Sequence, residues 1–244
     1  MQLAPGLGEW PTLGLVALSF ITSMVTATFS LGGGSLMIAA MTLLLPPLVV
    51  VPVHGCVQLG SNAGRAWLMR RHIRWPFILW VAMGAAIGSV VGGNFASALP
   101  ERWFAAAIGA FVLVTTWLPQ PRAIASSRVV QFLGGIVVSA VGMVVGAAGP
   151  LVAAFVRGIP DRQQLVATHA MLNTLVHVLK VAVFVSLGFA FGRYLPLIAV
   201  MIGAGFAGTA VGSRLLTRVP EHVFRLGFRI LLSAVALELL RRAL

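Results

Sequence analysis

Long uncharged apolar runs set the pattern of this chain. No Asp, Glu, Lys or Arg occurs between Glu9 and Arg65, from Trp75 to Pro100, from Trp103 to Pro121, or from Val129 to Val156. A bilayer core about 30 Å thick is crossed by about 20 helical residues, and each run reaches that length. Glycine, proline and polar positions divide the runs into helical segments near 11–29, 34–46, 54–71, 75–98 and 101–118, then 129–147, 150–157, 163–190, 193–217 and 221–241. The pattern predicts an all-α fold, a polytopic membrane helical bundle.

Aligning the first five segments with the second five exposes an internal repeat. "VHGCVQLGSNAGRAW" (53–67) falls on "THAMLNTLVHVLKVA" (168–182), pairing His54 with His169, Gln58 with Asn173, Asn62 with His177 and Arg65 with Lys180. "GSVVGGNFASALPERWF" (88–104) falls on "GTAVGSRLLTRVPEHVF" (208–224), pairing Gly88 and Gly92 with Gly208 and Gly212. "FSLGGGSLM" (29–37) falls on "VVGAAGPLV", with Gly34 on Gly149 and Ser35 on Pro150. The expected units are therefore a first membrane repeat at 1–118, a connector at 119–128 rich in proline and serine, and a second repeat at 129–244.

Composition and charge sharpen this picture. Only 9% of residues are charged and 59% are hydrophobic, against about a quarter charged in an ordinary soluble domain. The net charge of +12 comes from basic residues at the ends of apolar segments, which read as topology signals rather than a nucleic-acid surface. Arg70, Arg71 and Arg74 place the loop after the third segment in the cytoplasm, with Arg122, Arg128, Arg157, Arg162, Arg214, Arg218 and Arg225 also inside. That scheme holds if each half has two short paired segments, broken or re-entrant, followed by three spans, so that the second half is inverted relative to the first. It leaves Arg241 and Arg242 outside, against the rule. Inverted repeats are a mark of secondary transporters, with the substrate site at their interface. The N-terminus lacks the basic region of a cleavable signal peptide. Cys56 is the only cysteine and reads as a small buried residue, and no metal or cofactor motif is present. Trp67, Trp75, Trp80, Trp103 and Trp117 sit near segment ends as interfacial anchors.

The candidate chemistry lies on two matching helix faces. His54, Gln58, Asn62 and Arg65 are spaced by three or four, as are His169, Asn173, His177 and Lys180. Each face carries a cation inside an apolar helix, at an insertion cost of about 2.5–3.5 kcal/mol, and the five acidic residues lie elsewhere. An anionic substrate is the natural counter-ion. Alternatively, Arg65 snorkels to the headgroups near Arg70, and His54 and His169 bond to neighbouring backbone. The glycine stretches read as turns between paired segments. After each break, N–H groups of Gly34, Ser35 and Leu36, with Gly33 and Gly149 in the turns, present the positive end of a half-helix dipole. The competing reading is close helix packing, as expected for Gly88, Gly92, Gly208 and Gly212.

These stretches resemble the sulfite exporter family of TauE/SafE-like membrane proteins. The resemblance rests on "SLGGGSLMIAAMTLL", "VHGCVQLGSNAGRAWLMRRHIRW" and "GAAIGSVVGGNFASALP" in the first half, echoed by "GMVVGAAGPLVAAF" and "ATHAMLNTLVHVLKV" in the second. The second half departs from the family pattern in its alanines with glycine-proline at the turn and in His177. The resemblance implies a multi-pass transporter of the cell inner (plasma) membrane, linked to export of sulfite or organosulfonates. The expected ligand is a small sulfur-containing oxyanion held by the half-helix N-termini and by Arg65 and Lys180. His54, Gln58, Asn62, His169, Asn173 and His177 would bind it or carry coupling protons. An intramembrane enzyme acting on a lipid phosphate, or an anion channel, is the alternative, although HExxH, GxSxG and paired membrane carboxylates are lacking.

Overall fold

The structure, a computed structural model, describes residues 3–29, 32–118, 127–215 and 221–243. The expected connector lies outside the described residues up to 126, as does Arg218. Ten helices follow in order: α1 (Glu9–Phe29), α2 (Gly33–Leu44), α3 (Pro47–Leu68), α4 (Trp75–Ala98), α5 (Glu101–Trp117), α6 (Arg128–Val145), α7 (Gly149–Val156), α8 (Arg162–Ser186), α9 (Leu195–Leu215) and α10 (Glu221–Ala243). Short 3-10 turns at Arg70–His72 and Phe191–Tyr194 precede α4 and α9, and no strand occurs among the described residues.

Local chemistry accounts for the boundaries that differ from expectation. α3 begins at Pro47 rather than residue 54, because Pro46 and Pro47 occupy the cap and first turn, where a missing N–H is harmless. Pro52 is then carried inside the helix. Asp161 caps α8 by accepting from Gln164 N at 2.7 Å, and Ser127 caps α6 by accepting from Val130 N at 3.2 Å. α8 stops at Ser186, with Gly188 at φ 83° beyond it, so the expected segment 163–190 ends early, and α9 starts at Leu195, after a 3-10 turn, rather than at 193.

Four helices are long and apolar enough to cross a membrane among the described residues: Trp75–Ala98, Arg128–Val145, Gln163–Ser186 and Phe191–Gly212. In each pair that opens a half, only the second member is short. α1 has 21 residues and α6 has 18, whereas α2 has 12 and α7 has 8. At 1.5 Å per residue, α2 and α7 reach only about half of a bilayer core or less.

Packing joins the two halves by exchange. α4 lies against α6, α1 against α9, α3 against α8 and α5 against α10. Interchanging the halves turns the α4–α6 pair into α9–α1 and leaves the other two unchanged. The seams agree in detail: Gly84, Gly88 and Gly92 lie on the backbone of Phe132, Ile136 and Ala140, while Gly208 and Gly212 lie on that of Phe20 and Met24. These five glycines pack helix against helix, as expected of such residues in membrane bundles. Ser19 Oγ adds a hydrogen bond to Met201 O at 2.6 Å across the α1–α9 seam.

The core runs through the centre, where Ile38, Met41, Val50, Val53, Ile108, Met143 and Met201 are fully buried. Outward faces remain apolar: Leu79, Met83, Ile87 and Val91 form an exposed stripe along α4. An apolar stripe at helical spacing on the outside suits lipid rather than water. Arg241 and Arg242, the residues at odds with the charge rule, both pair with Glu238, at 2.7 and 2.8 Å. Arg242 also donates to Leu43 O at 3.2 Å, placing a cation on the C-terminal carbonyls of α2.

Candidate functional site

Two helix breaks face each other at the centre. The first ends at Gly32, whose φ of 95° only glycine adopts readily, and leads into α2. The second is formed by Gly146, at φ 75°, which ends α6 and leads through Ala147 and Ala148 into α7. Leu36 N already donates to Gly32 O at 3.0 Å, so the amides without an intrahelical acceptor are those of Gly33, Gly34 and Ser35. This moves the expected set back by one residue. In α7, Val152 N donates to Ala148 O at 2.9 Å, leaving the amides of Gly149 and Leu151, with Pro150 contributing none.

α3 and α8 brace these breaks in the same way. His54 Nε2 lies 3.0 Å from Gly34 O, and His169 Nε2 lies 3.2 Å from Gly149 O. A carbonyl only accepts, so each ring donates through Nε2. One turn further along, the Gln58 amide stands 3.3 Å from His54 Nε2 and the Asn173 amide 3.2 Å from His169 Nε2. Both histidines bond to backbone, but to that of the breaks, 20 residues away in sequence, rather than to backbone beside them.

Between the breaks lies a cavity of about 40 Å³, room for a few water-sized bodies. Of the residues expected at the site, Gly34, Ser35, His54, Gln58, Asn62, Gly149, His169, Asn173 and His177 line it. Gly33, Arg65 and Lys180 do not. A Cβ on Gly33 would strike Thr26 and the Thr22 carbonyl, so Gly33 is a packing glycine between α1 and α2. Lys180 is fully buried behind the cavity and donates through Nζ to Gly146 O at 2.6 Å, on the negative end of α6. Arg65 is partly buried and lies within electrostatic reach of His169. Thr26, Gly32, Ala147, Ala148 and Pro150 also line the cavity. Of these Thr26 is the polar group that sequence reasoning missed, because nothing in its own helix marks it.

The lining includes no carboxylate, and three of its polar atoms lack partners among the described residues. Ser35 Oγ, on the first turn of α2, and His177 Nδ1, on α8, are buried without a hydrogen bond among the described residues. His54 Nδ1 is in the same condition. Such groups cost about 1–3 kcal/mol each when left unpaired. Free amides and unpaired side-chain atoms, with Lys180 buried nearby and Arg65 within electrostatic reach of His169, form a setting that favours negative charge.

A family model for "Sulfite exporter TauE/SafE" matches residues 15–239 of the chain. No curated protein and no solved structure matches it.

Proposed function

The chain belongs to the sulfite exporter TauE/SafE family, a family of membrane transporters for sulfur anions, and on that premise we propose that it is a secondary transporter of small sulfur-containing oxyanions such as sulfite or organosulfonates, acting in the cell inner membrane. The observation that carries this reading is the meeting of two helix breaks on one buried cavity with no carboxylate in its wall. The amides of Gly34, Ser35 and Gly149 bind the anion's oxygens. His54 and His169 hold the two breaks at the right separation, Ser35 Oγ and His177 Nδ1 acquire partners, and Lys180 and Arg65 supply positive potential from behind. Lys180 acts at long range, because its ammonium is already engaged by Gly146.

The packing also supports a view of how the cavity alternates between the two sides. α8 packs on α4 and α7 on α6 and α8, while α2 packs on α1 and α3 and α3 on α9; we take these as two bodies that meet along the extensive α3–α8 contact. The glycine seams lock α4 to α6 and α9 to α1, so the moving bodies are these two groups, in which α4 and α9 are exchanged between the halves, rather than the repeats as cut from the sequence. The cavity lies where the bodies meet, along the contact of α3 with α8.

Flux in proteoliposomes tests the proposal. Sulfite flux that saturates and is competed by organosulfonates is the expected result. Absence of flux, non-saturating flux far above carrier turnover, or hydrolysis of lipid phosphate by the purified protein contradicts it.

A further inference from the structure

The two halves build similar walls, and one of the positions at which they differ has a consequence for proton coupling. His54 and His169 make matching bonds to their break glycines. Asn62 of the first half is satisfied within its own helix, where Nδ2 donates to Gln58 O at 2.8 Å. Its counterpart, His177, is 2% exposed and lines the cavity, and its Nδ1 has no partner among the described residues. The ring stands edge-on to His54, with centroids 6.0 Å apart at 71°. A residue that satisfied itself has given way to one that waits for a partner inside the anion cavity.

Resting on the transport reading above, we propose that His177 is the proton site of the cavity: one proton is shared between its ring and an oxygen of the bound oxyanion. A neutral ring accepts the O–H of a singly protonated oxyanion such as hydrogensulfite. A fully ionised oxyanion instead enters with a proton taken from the medium, which rests on the imidazole and is donated back to the anion. Both routes give the same bound composition.

The groups around His177 fit this role. On its own helix stand His169 and Lys180; α3 contributes His54, Cys56 and Arg65. α4 and α7 carry no titratable side chain, and α6 has only Arg128, at its first residue. The 3-10 turn that touches α8 holds Arg70, Arg71 and His72, all exposed. With no carboxylate facing it, a positive His177 has only the substrate as counter-charge, so proton and anion arrive together.

Calorimetric titration of the purified full chain in detergent tests this, using methanesulfonate as an anion that carries no proton in the range. Titrations near about pH 6 and about pH 8, in buffers of different ionisation heat, count the protons taken up. In the wild type a proton is taken up with the anion at the higher pH, and affinity falls toward the limit of about tenfold per pH unit set by one linked proton. In His177→Asn, which installs the residue found at the matching position of the first half, the uptake vanishes and the ratio of affinities between the two pH values drops to about one. His177→Gln serves the same purpose if the first variant does not fold. Wild-type binding without proton uptake overturns the proposal, as does uptake that persists in the variants. If the wild type binds neither methanesulfonate nor sulfite at any pH, the transport reading itself fails and this inference falls with it. A purely structural role for His177 alters affinity or stability without altering the proton count.

Discussion

His54 and His169 show how much one side chain can determine in this fold. Each reaches back 20 residues to a glycine carbonyl at the start of a short helix, with bonds of 3.0 and 3.2 Å. Loss of either ring removes that tie and leaves a buried space, so His54→Ala and His169→Ala are expected to lower stability by about 1–2 kcal/mol each. Unfolding curves in detergent measure the loss, and two stable variants would contradict the brace. The spacing of three and four along the chain revealed the polar stripes of α3 and α8, since helical periodicity is local. It could not reveal their partners, which depend on how α2 folds onto α3 and α7 onto α8. Lys180 illustrates the limit. An unpaired cation in an apolar helix reads as a counter-ion for substrate, yet its ammonium lies on Gly146 O, a carbonyl exposed only because α6 ends there.

At the scale of the helices, glycines serve two purposes that sequence alone does not separate. Gly34 and Gly149 open onto the cavity, whereas Gly33, the neighbour of Gly34 in the glycine triplet, is pressed against Thr22 and Thr26 of α1. Gly88 and Gly208 occupy matching places in the two seams, each against the backbone of a facing helix. Gly88→Leu and Gly208→Leu are therefore expected to destabilise the protein by similar amounts, about 1–3 kcal/mol or more, from overpacking. Gly203→Leu, at an exposed position with open space beside it, should leave the melting temperature nearly unchanged. Equal melting temperatures for all three would refute the seams. The segments themselves were legible because long apolar runs interrupted by Gly and Pro leave few alternatives. Boundaries were less so where proline serves as a helix start, as at Pro46 and Pro47, rather than as a stop.

For the whole molecule, the order of matching residues suggested a repeat, but the pairing of α4 with α6 and of α1 with α9 was not legible in it. That pairing is a matter of which helix meets which, and periodicity carries no information about it. It predicts that disulfide cross-links across the α4–α6 seam, near Gly92 and Ala140, leave transport intact on a chain with Cys56 replaced. A cross-link between α3 and α8, near Gly55 and Val181, should arrest transport, because it ties the two bodies together beside the cavity. The reverse outcome would show that the sequence halves move as units. The central claim, that a small oxyanion sits between the two breaks, is tested most directly by equilibrium binding of sulfite to the wild type and to Gly149→Leu. A Cβ at Gly149 meets only Asn173 Oδ1, 3.9 Å away, so the backbone accommodates the substitution and the leucine's further atoms compete with the anion for the cavity. A melting curve run beside the binding assay identifies the folded variant. The account predicts saturable binding by the wild type, weakened at least about tenfold in the variant, a difference of about 1.4 kcal/mol. Equal affinity in the two proteins would place the anion elsewhere and contradict it.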